Sequence, residues 1–137
     1  HAGWRGTVNR ILAKTLHRMQ SAYGTEGTDV IACIGPGISL DSFEVGDEVY
    51  EAFRTENFPM EYISVWKPET HKYHIDLWAA NRLQLSDFGV PPRQIENAGI
   101  CTYRQHEDFF SARRLGIKSG RILSGIMLNG QEKEERK

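Results

Sequence analysis

The run HAGWRGTVNRILAKTLHRMQSAYG, residues 1–24, decides how the rest of the chain is read. Its first seven residues, His1-Ala2-Gly3-Trp4-Arg5-Gly6-Thr7, bring an imidazole, an indole, a guanidinium and two glycines into about one turn of backbone. Glycine admits positive φ and close backbone approach to a ligand. A helix follows directly: Val8, Ile11, Leu12, Leu16 and Met19 fall at helical spacing, and Ala22 and Tyr23 continue the stripe. With Thr7 as N-cap and Gly24 just past the end, the pattern predicts one helix over 7–23. Its first N–H groups and positive dipole end would make the turn beside His1 receptive to anions.

Downstream, strands and helices alternate. Asp29 to Ile34 is short, β-branched and nearly all apolar, which predicts a buried strand ended by Gly35-Pro36-Gly37. Asp41 and Glu44 have capping-box spacing, and Phe43, Val45, Val49, Ala52 and Phe53 predict a helix over 42–55. Tyr62 to Trp66 reads as a second strand stopped by Pro68, and His74 to Phe88 as a third helix closed by Gly89 and Pro91-Pro92. Gln94 to Thr102 reads as a strand interrupted at Gly99, Asp108 to Ala112 as edge strand or loop, and Arg121 to Leu128 as the last strand. The class is α/β, or a mixed α+β sandwich if the strands pair antiparallel. One unit over residues 1–130 is expected, with 131–137 (QEKEERK) as a charged, disordered tail. A site-like motif at residue 1 would hang on a free terminus, so the chain reads as the C-terminal portion of a longer protein.

The 137 residues suffice for one domain with a real core. Seventeen Lys plus Arg against eighteen Asp plus Glu give a formal charge of −1, hence no global attraction to nucleic acid or an anionic membrane. No apolar run is long enough to span a bilayer. Cys33 and Cys101 form neither a CxxC pair nor a disulfide framework, which points to a reduced, cytoplasmic setting.

Imidazole is the commonest zinc ligand, so His1 is the first candidate for metal binding, against the plain reading that a chain merely starts there. His71 and His74 would share a face if helical, but no Glu lies between them and Thr70-His71-Lys72 looks like loop, so a solvated loop His71 and a helix-start His74 are the plainer expectation. His17 and His106 read as surface residues. Cys33, inside an apolar strand, reads as a small hydrophobe; Cys101, at a strand end near Arg104, is better placed for chemistry. Arg113, Arg114 and Arg121, with Ser and Gly between them, suit phosphate oxygens by type, but composition alone favours a solvated basic face with ion pairs to Glu107 and Asp108.

Five motifs in order resemble one family. HAGWRGT at 1–7, Ile34-Gly35-Pro36-Gly37-Ile38 with Phe43-Glu44-Val45, Asp76-Leu77-Trp78-Ala79-Ala80-Asn81, Ile100-Cys101-Thr102, and Phe109-Phe110-Ser111-Ala112-Arg113-Arg114 with Gly120-Arg121 are similar to the signatures of the bacterial YlmD/YfiH family, also known as laccase-domain or multicopper polyphenol oxidase proteins. Phe43 departs from the usual Tyr, and Ser42 from a small residue or Cys.

The resemblance implies an α/β sandwich about twice this length. It implies a site of two histidines and one cysteine holding zinc or copper, of which His1 alone lies in this chain; neither Cys33 nor Cys101 is the family's cysteine. It implies a purine nucleoside phosphorylase acting on adenosine, inosine and methylthioadenosine, with adenosine deamination as a further activity, and a fragment that is inactive alone. Three ligands leave a fourth zinc position open, as catalysis needs. For phosphate, chemistry and motif match together nominate Arg5, Arg113 and Arg121. Partners would be purine nucleoside, phosphate and the missing N-terminal part of the same protein, with no nucleic acid or membrane. A copper-dependent polyphenol oxidase and a non-catalytic interaction module are the competing expectations.

Overall fold

The stripe predicted as one helix over 7–23 breaks at Arg10. In the computed structural model, which describes residues 1–130, α1 spans Trp4–Val8 and α2 spans Ile11–Tyr23. Arg10 adopts the left-handed conformation between them, with φ of 56°. Its guanidinium donates to the Glu56 carbonyl at 2.9 Å and lies 4.4 Å from the Phe58 ring centroid. These tertiary contacts offset the roughly 1–2 kcal/mol that a left-handed L-residue costs. The Asn9 side chain donates to the Arg5 carbonyl at 2.8 Å and closes α1. Gly24 ends α2 as expected.

The expected strand at 29–34 is shorter: a single turn of tight helix over Gly27–Asp29 precedes β1, Ala32–Ile34. The Asp41–Glu44 capping box does not form. Leu40–Ser42 makes a short tight turn, and Glu44–Val45 is β2. Phe43 and Val45 are buried in the core by that pairing, so α3 starts only at Asp47 and runs to Thr55. Next come the short α4 (Met60–Ile63), β3 (Ser64–Lys67) and β4 (Lys72–Ile75). Helix α5 spans Leu77–Phe88, capped by Asp76, whose carboxylate accepts from the Ala79 N–H at 2.9 Å. β5 covers Ile95–Asn97 and α6 Ala112–Leu115, so the 108–112 stretch is turn leading into helix.

Two small sheets result. β1 and β5 pair parallel, and β2-β4-β3 is antiparallel with Glu44 opposite His74 and Trp66 opposite Tyr73. The mixed helix-and-strand class expected from the sequence is therefore present. The larger core cluster packs Val8, Phe43, Val45, Val49, Phe53, Ile63, Ile75, Leu77 and Ala80 between the antiparallel sheet and helices α1, α3, α4 and α5. Phe53, Ile63 and Ile75 are wholly buried, and each such side chain is worth about 1.5–3 kcal/mol. A second cluster joins Leu16, Leu85, Val90 and Ile95. Helix α5 contributes to both, which makes it the spine of the structure.

Arg121–Leu128 forms no strand. Leu123, Ile126, Met127 and Leu128 are exposed there. Alternation and β-branching favour extended backbone, but a strand needs a neighbour for its N–H and C=O groups, and within the described residues neither sheet supplies one. The expected tail at 131–137 lies outside the described residues. No helix among those described is long and apolar enough to cross a membrane.

Candidate functional site

His1 is exposed, and its ring folds back over Gly3. A Cβ at Gly3 would lie 2.8 Å from the imidazole Nε2, and one at Gly6 would lie 3.1 Å from the His1 carbonyl oxygen. Positive φ is not what these glycines supply: Gly3 has φ of −66°, and Gly6 is not among the positive-φ glycines. Their value here is the absent side chain, which leaves room for His1. Thr7 is not an N-cap but sits inside α1, fully buried. Because α1 is only five residues long, the expected macrodipole at its start is small.

What holds this turn is a buried polar chain. The Thr7 hydroxyl donates to the Ala2 carbonyl at 3.0 Å and accepts from Asn81 Nδ2 at 3.0 Å. Asn81 Nδ2 also donates to the Leu77 carbonyl at 2.8 Å. Gln84 Nε2 donates to the Thr7 carbonyl at 3.1 Å, and Gln84 Oε1 accepts from the Ala13 N–H at 3.2 Å. The sequence reading did not single out Gln84. Its signal was a polar residue on the α5 face that also carries Leu77, Ala80 and Leu85, all buried.

The five motifs meet one another in space. HAGWRGT rests on DLWAAN through Thr7 and Asn81. DLWAAN meets GPGI where Trp78 Nε1 would lie 3.2 Å from a Cβ on Gly37; that indole N–H is buried without a partner among the described residues. GPGI joins ICT through Gly37 N–H to the Ile100 carbonyl at 3.1 Å and Thr102 N–H to the Gly37 carbonyl at 3.0 Å. FFSARR returns to FEV, where Arg113 donates to the Glu44 carbonyl at 2.8 Å and stacks over Phe43 at 5.2 Å. Gly120 lies against the Phe110 ring, where a Cβ would come within 2.7 Å of it.

Each candidate arginine has its own neighbours. Arg5 lies 4.4 Å over the Trp4 ring, exposed. Arg113 is committed to Glu44, and Arg121 donates to the carbonyls of Ser119 and Gly120. His71 lies in a turn, as the loop reading expected, but His74 is not at a helix start. His71 occupies a turn with φ of 52°, whereas His74 is on β4, buried, with Nδ1 2.9 Å from the Leu40 carbonyl and Nε2 3.7 Å from Glu44. The Glu44 carboxyl is held below its ordinary range by the Thr70 hydroxyl first, and by Lys72 at 3.4 Å.

Cys33 is exposed, not buried: β1 is paired on one side only, and its middle residue faces outward. Cys101 is the buried thiol. Burial pushes it up, but Ser39 outweighs that, with its hydroxyl 3.1 Å and its N–H 3.4 Å from Sγ. The Arg104 backbone and Ser42, at 3.6 Å, add to the effect, and the thiol is lowered to about 7. Arg104 itself pairs with Asp41 at 3.3 Å. No group of three or more His, Cys, Asp or Glu side chains that could hold a metal occurs among the described residues.

Residues 1–129 match the profile of the family described as "Multi-copper polyphenol oxidoreductase laccase". The chain belongs to that family. It is 66% identical over 129 residues to a purine nucleoside phosphorylase of Bacteroides thetaiotaomicron, covering 94% of this chain and 48% of that protein. It is 50% identical over 126 residues to "Adenosine deaminase RL5" from an unknown prokaryotic organism, covering 92% and 48%. Among solved structures it resembles YlmD from Geobacillus stearothermophilus, with a TM-score of 0.73, 35% identity, and coverage of 83% of this chain and 42% of that one. The likeness to Bacillus licheniformis YfiH is similar, with a TM-score of 0.72 at 30% identity, covering 83% and 43%. The chain thus spans about half the length of the curated relatives it matches.

Proposed function

We propose that this chain is the C-terminal part of a purine nucleoside phosphorylase that cleaves adenosine, inosine and methylthioadenosine and also deaminates adenosine. The observation that carries the reading is the 66% identity to a relative of that name, with a deaminase at 50% beside it. In phosphorolysis a phosphate oxygen bonds to C1′ of the ribose and the C1′–N9 bond breaks. Its electron pair leaves with the purine, which takes up a proton, and the sugar departs as ribose 1-phosphate. In deamination water replaces the C6 amino group, which leaves as ammonia.

His1 is the residue we assign to the reacting centre. By itself it does not fit a metal: zinc needs three or four donors, and the described residues bring no such group together. The other histidine and the cysteine of the proposed set would come from the half of the family fold that this chain does not span. Of the three arginines, Arg5 has the best claim on phosphate. It is three residues from the turn at Ala2 and exposed, and its guanidinium makes no ion pair or hydrogen bond among the described residues. Arg113 and Arg121 already donate to backbone carbonyls.

A second reading, a copper-dependent polyphenol oxidase, is favoured by the family's own description. One assay separates the two. The chain joined to the upstream half of the Bacteroides relative is incubated with inosine and phosphate, and in parallel with a phenolic dye. Release of hypoxanthine and ribose 1-phosphate supports the phosphorylase; dye oxidation without base release supports the oxidase.

A further inference from the structure

The proposed role of His1 raises the question of what keeps its ring in place. His1 precedes the first helix, and its ring packs against Gly3. We propose that Asn81 is a positioning residue for the His1 imidazole, acting through the Thr7 hydroxyl. This rests on the assignment of His1 to the reacting centre.

The donor pattern singles out Asn81. Thr7 Oγ1 gives its one proton to the Ala2 carbonyl, so towards Asn81 it can only accept. The Leu77 carbonyl also only accepts. Both needs are met by the two N–H groups of Asn81 Nδ2, at 3.0 and 2.8 Å. The opposite end of the amide, Oδ1, is buried without a partner among the described residues. What the residue supplies here is its two donors. An aspartate would turn a second acceptor on Thr7 and Leu77. A leucine would fill the space and leave the hydroxyl unsupported.

The link to His1 is short and polar throughout: Asn81, Thr7 Oγ1, the Ala2 carbonyl, and then the adjoining residue. Thr7 N–H also bonds the Gly3 carbonyl at 2.8 Å, which closes the turn under the ring. Gln84 holds the Thr7 carbonyl and the Ala13 N–H together and so spans the break at Arg10. Thr7, Gln84 and Asn81 are 0%, 1% and 7% exposed, so water does not compete for these bonds.

The test uses nuclear magnetic resonance on the 137-residue chain and needs no turnover. The ring protons of His1 should show cross-relaxation to the Gly3 α-protons, because Nε2 lies over that carbon. Hydrogen exchange at β3 and β4 reports the integrity of the fold alongside. Thr7→Val keeps the shape of the side chain and removes the hydroxyl; Thr7→Ser restores the hydroxyl. The expected result is loss of the His1–Gly3 signal in Thr7→Val and Asn81→Leu, with at least tenfold faster exchange of the Gly6 and Thr7 amides. Thr7→Ser should keep the signal, and β3–β4 exchange should stay within twofold in all three. Persistence of the signal in Thr7→Val overturns the proposal. So does its loss together with β3–β4 protection in that variant, which would mark a purely structural role. Failure of the nucleoside assay alone would instead remove the function assigned to His1 and leave this result readable.

Discussion

Cys101 shows how one residue can be placed for chemistry yet differ from the sequence expectation in kind. Its thiol lies in a hydroxyl-lined recess with Ser39 and Ser42, and its value falls to about 7. A group whose folded value is depressed stabilises the fold above its ordinary value and loses that contribution as pH falls through the folded one. The window here runs from about 9 down to about 7. Raising the pH across that window should therefore stabilise the wild type relative to Cys101→Ala by about 1–3 kcal/mol, measured by urea unfolding. Thiolate absorbance in a Cys33→Ala background should rise with a midpoint near 7. A midpoint at the ordinary thiol value would show that the Ser39 hydrogen bonds do not favour the thiolate. Cys33 is exposed against expectation because an apolar run looks the same whether its strand is central or at an edge; among the described residues β1 is paired on one side only.

At the scale of elements, the β3–β4 hairpin carries a residue in a costly conformation. His71 has φ of 52° in the turn between the strands. A left-handed L-residue costs roughly 1–2 kcal/mol, and glycine relieves most of it. His71→Gly is expected to raise stability by about 0.5–1 kcal/mol and the melting temperature by a few degrees, while leaving nucleoside cleavage unchanged. A drop in activity would return His71 to the site. Two of the helix stops were legible in the sequence: Gly24 and Gly89 act as read. The start of α5 was not, because the helix was expected from His74, whereas β4 runs to Ile75 and Asp76 is the N-cap. The break at Arg10, the β2 pairing that delays α3, and the Gln84 bridge were not legible either. Each depends on a residue distant in sequence: Glu56 and Phe58 for Arg10, His74 and Tyr73 for β2, and Thr7 for Gln84. Periodicity reports which face is apolar, and it is silent about which distant group will satisfy a particular donor. The ordered motifs were legible as strings of residues, whereas no spacing rule links residue 7 to residue 81.

At the scale of the molecule, the stretch Arg121–Leu128 connects the fold to the proposed larger protein. Its sequence favours extended backbone, yet Leu123 and Leu128 are 97% and 87% exposed. Apolar surface of this kind calls for cover. Relatives have about as much chain again beyond the matched region, and that half is the occupant we expect. Joined to the upstream half of the Bacteroides relative, residues 121–128 should gain slow-exchanging amides in hydrogen-exchange mass spectrometry and pair as a strand. Exchange as fast as in the isolated chain would show that this half leaves the stretch unpaired.

The assignment of His1 to a nucleoside-cleaving centre is tested most directly by one comparison in that same joined protein. Hypoxanthine release from inosine and phosphate is measured for the wild type and for His1→Ala, with melting temperatures matched to show that both are folded. The expected result is steady phosphate-dependent release in the wild type and a loss of at least a hundredfold in His1→Ala. Equal release from the two proteins, or none from the wild type, would contradict it.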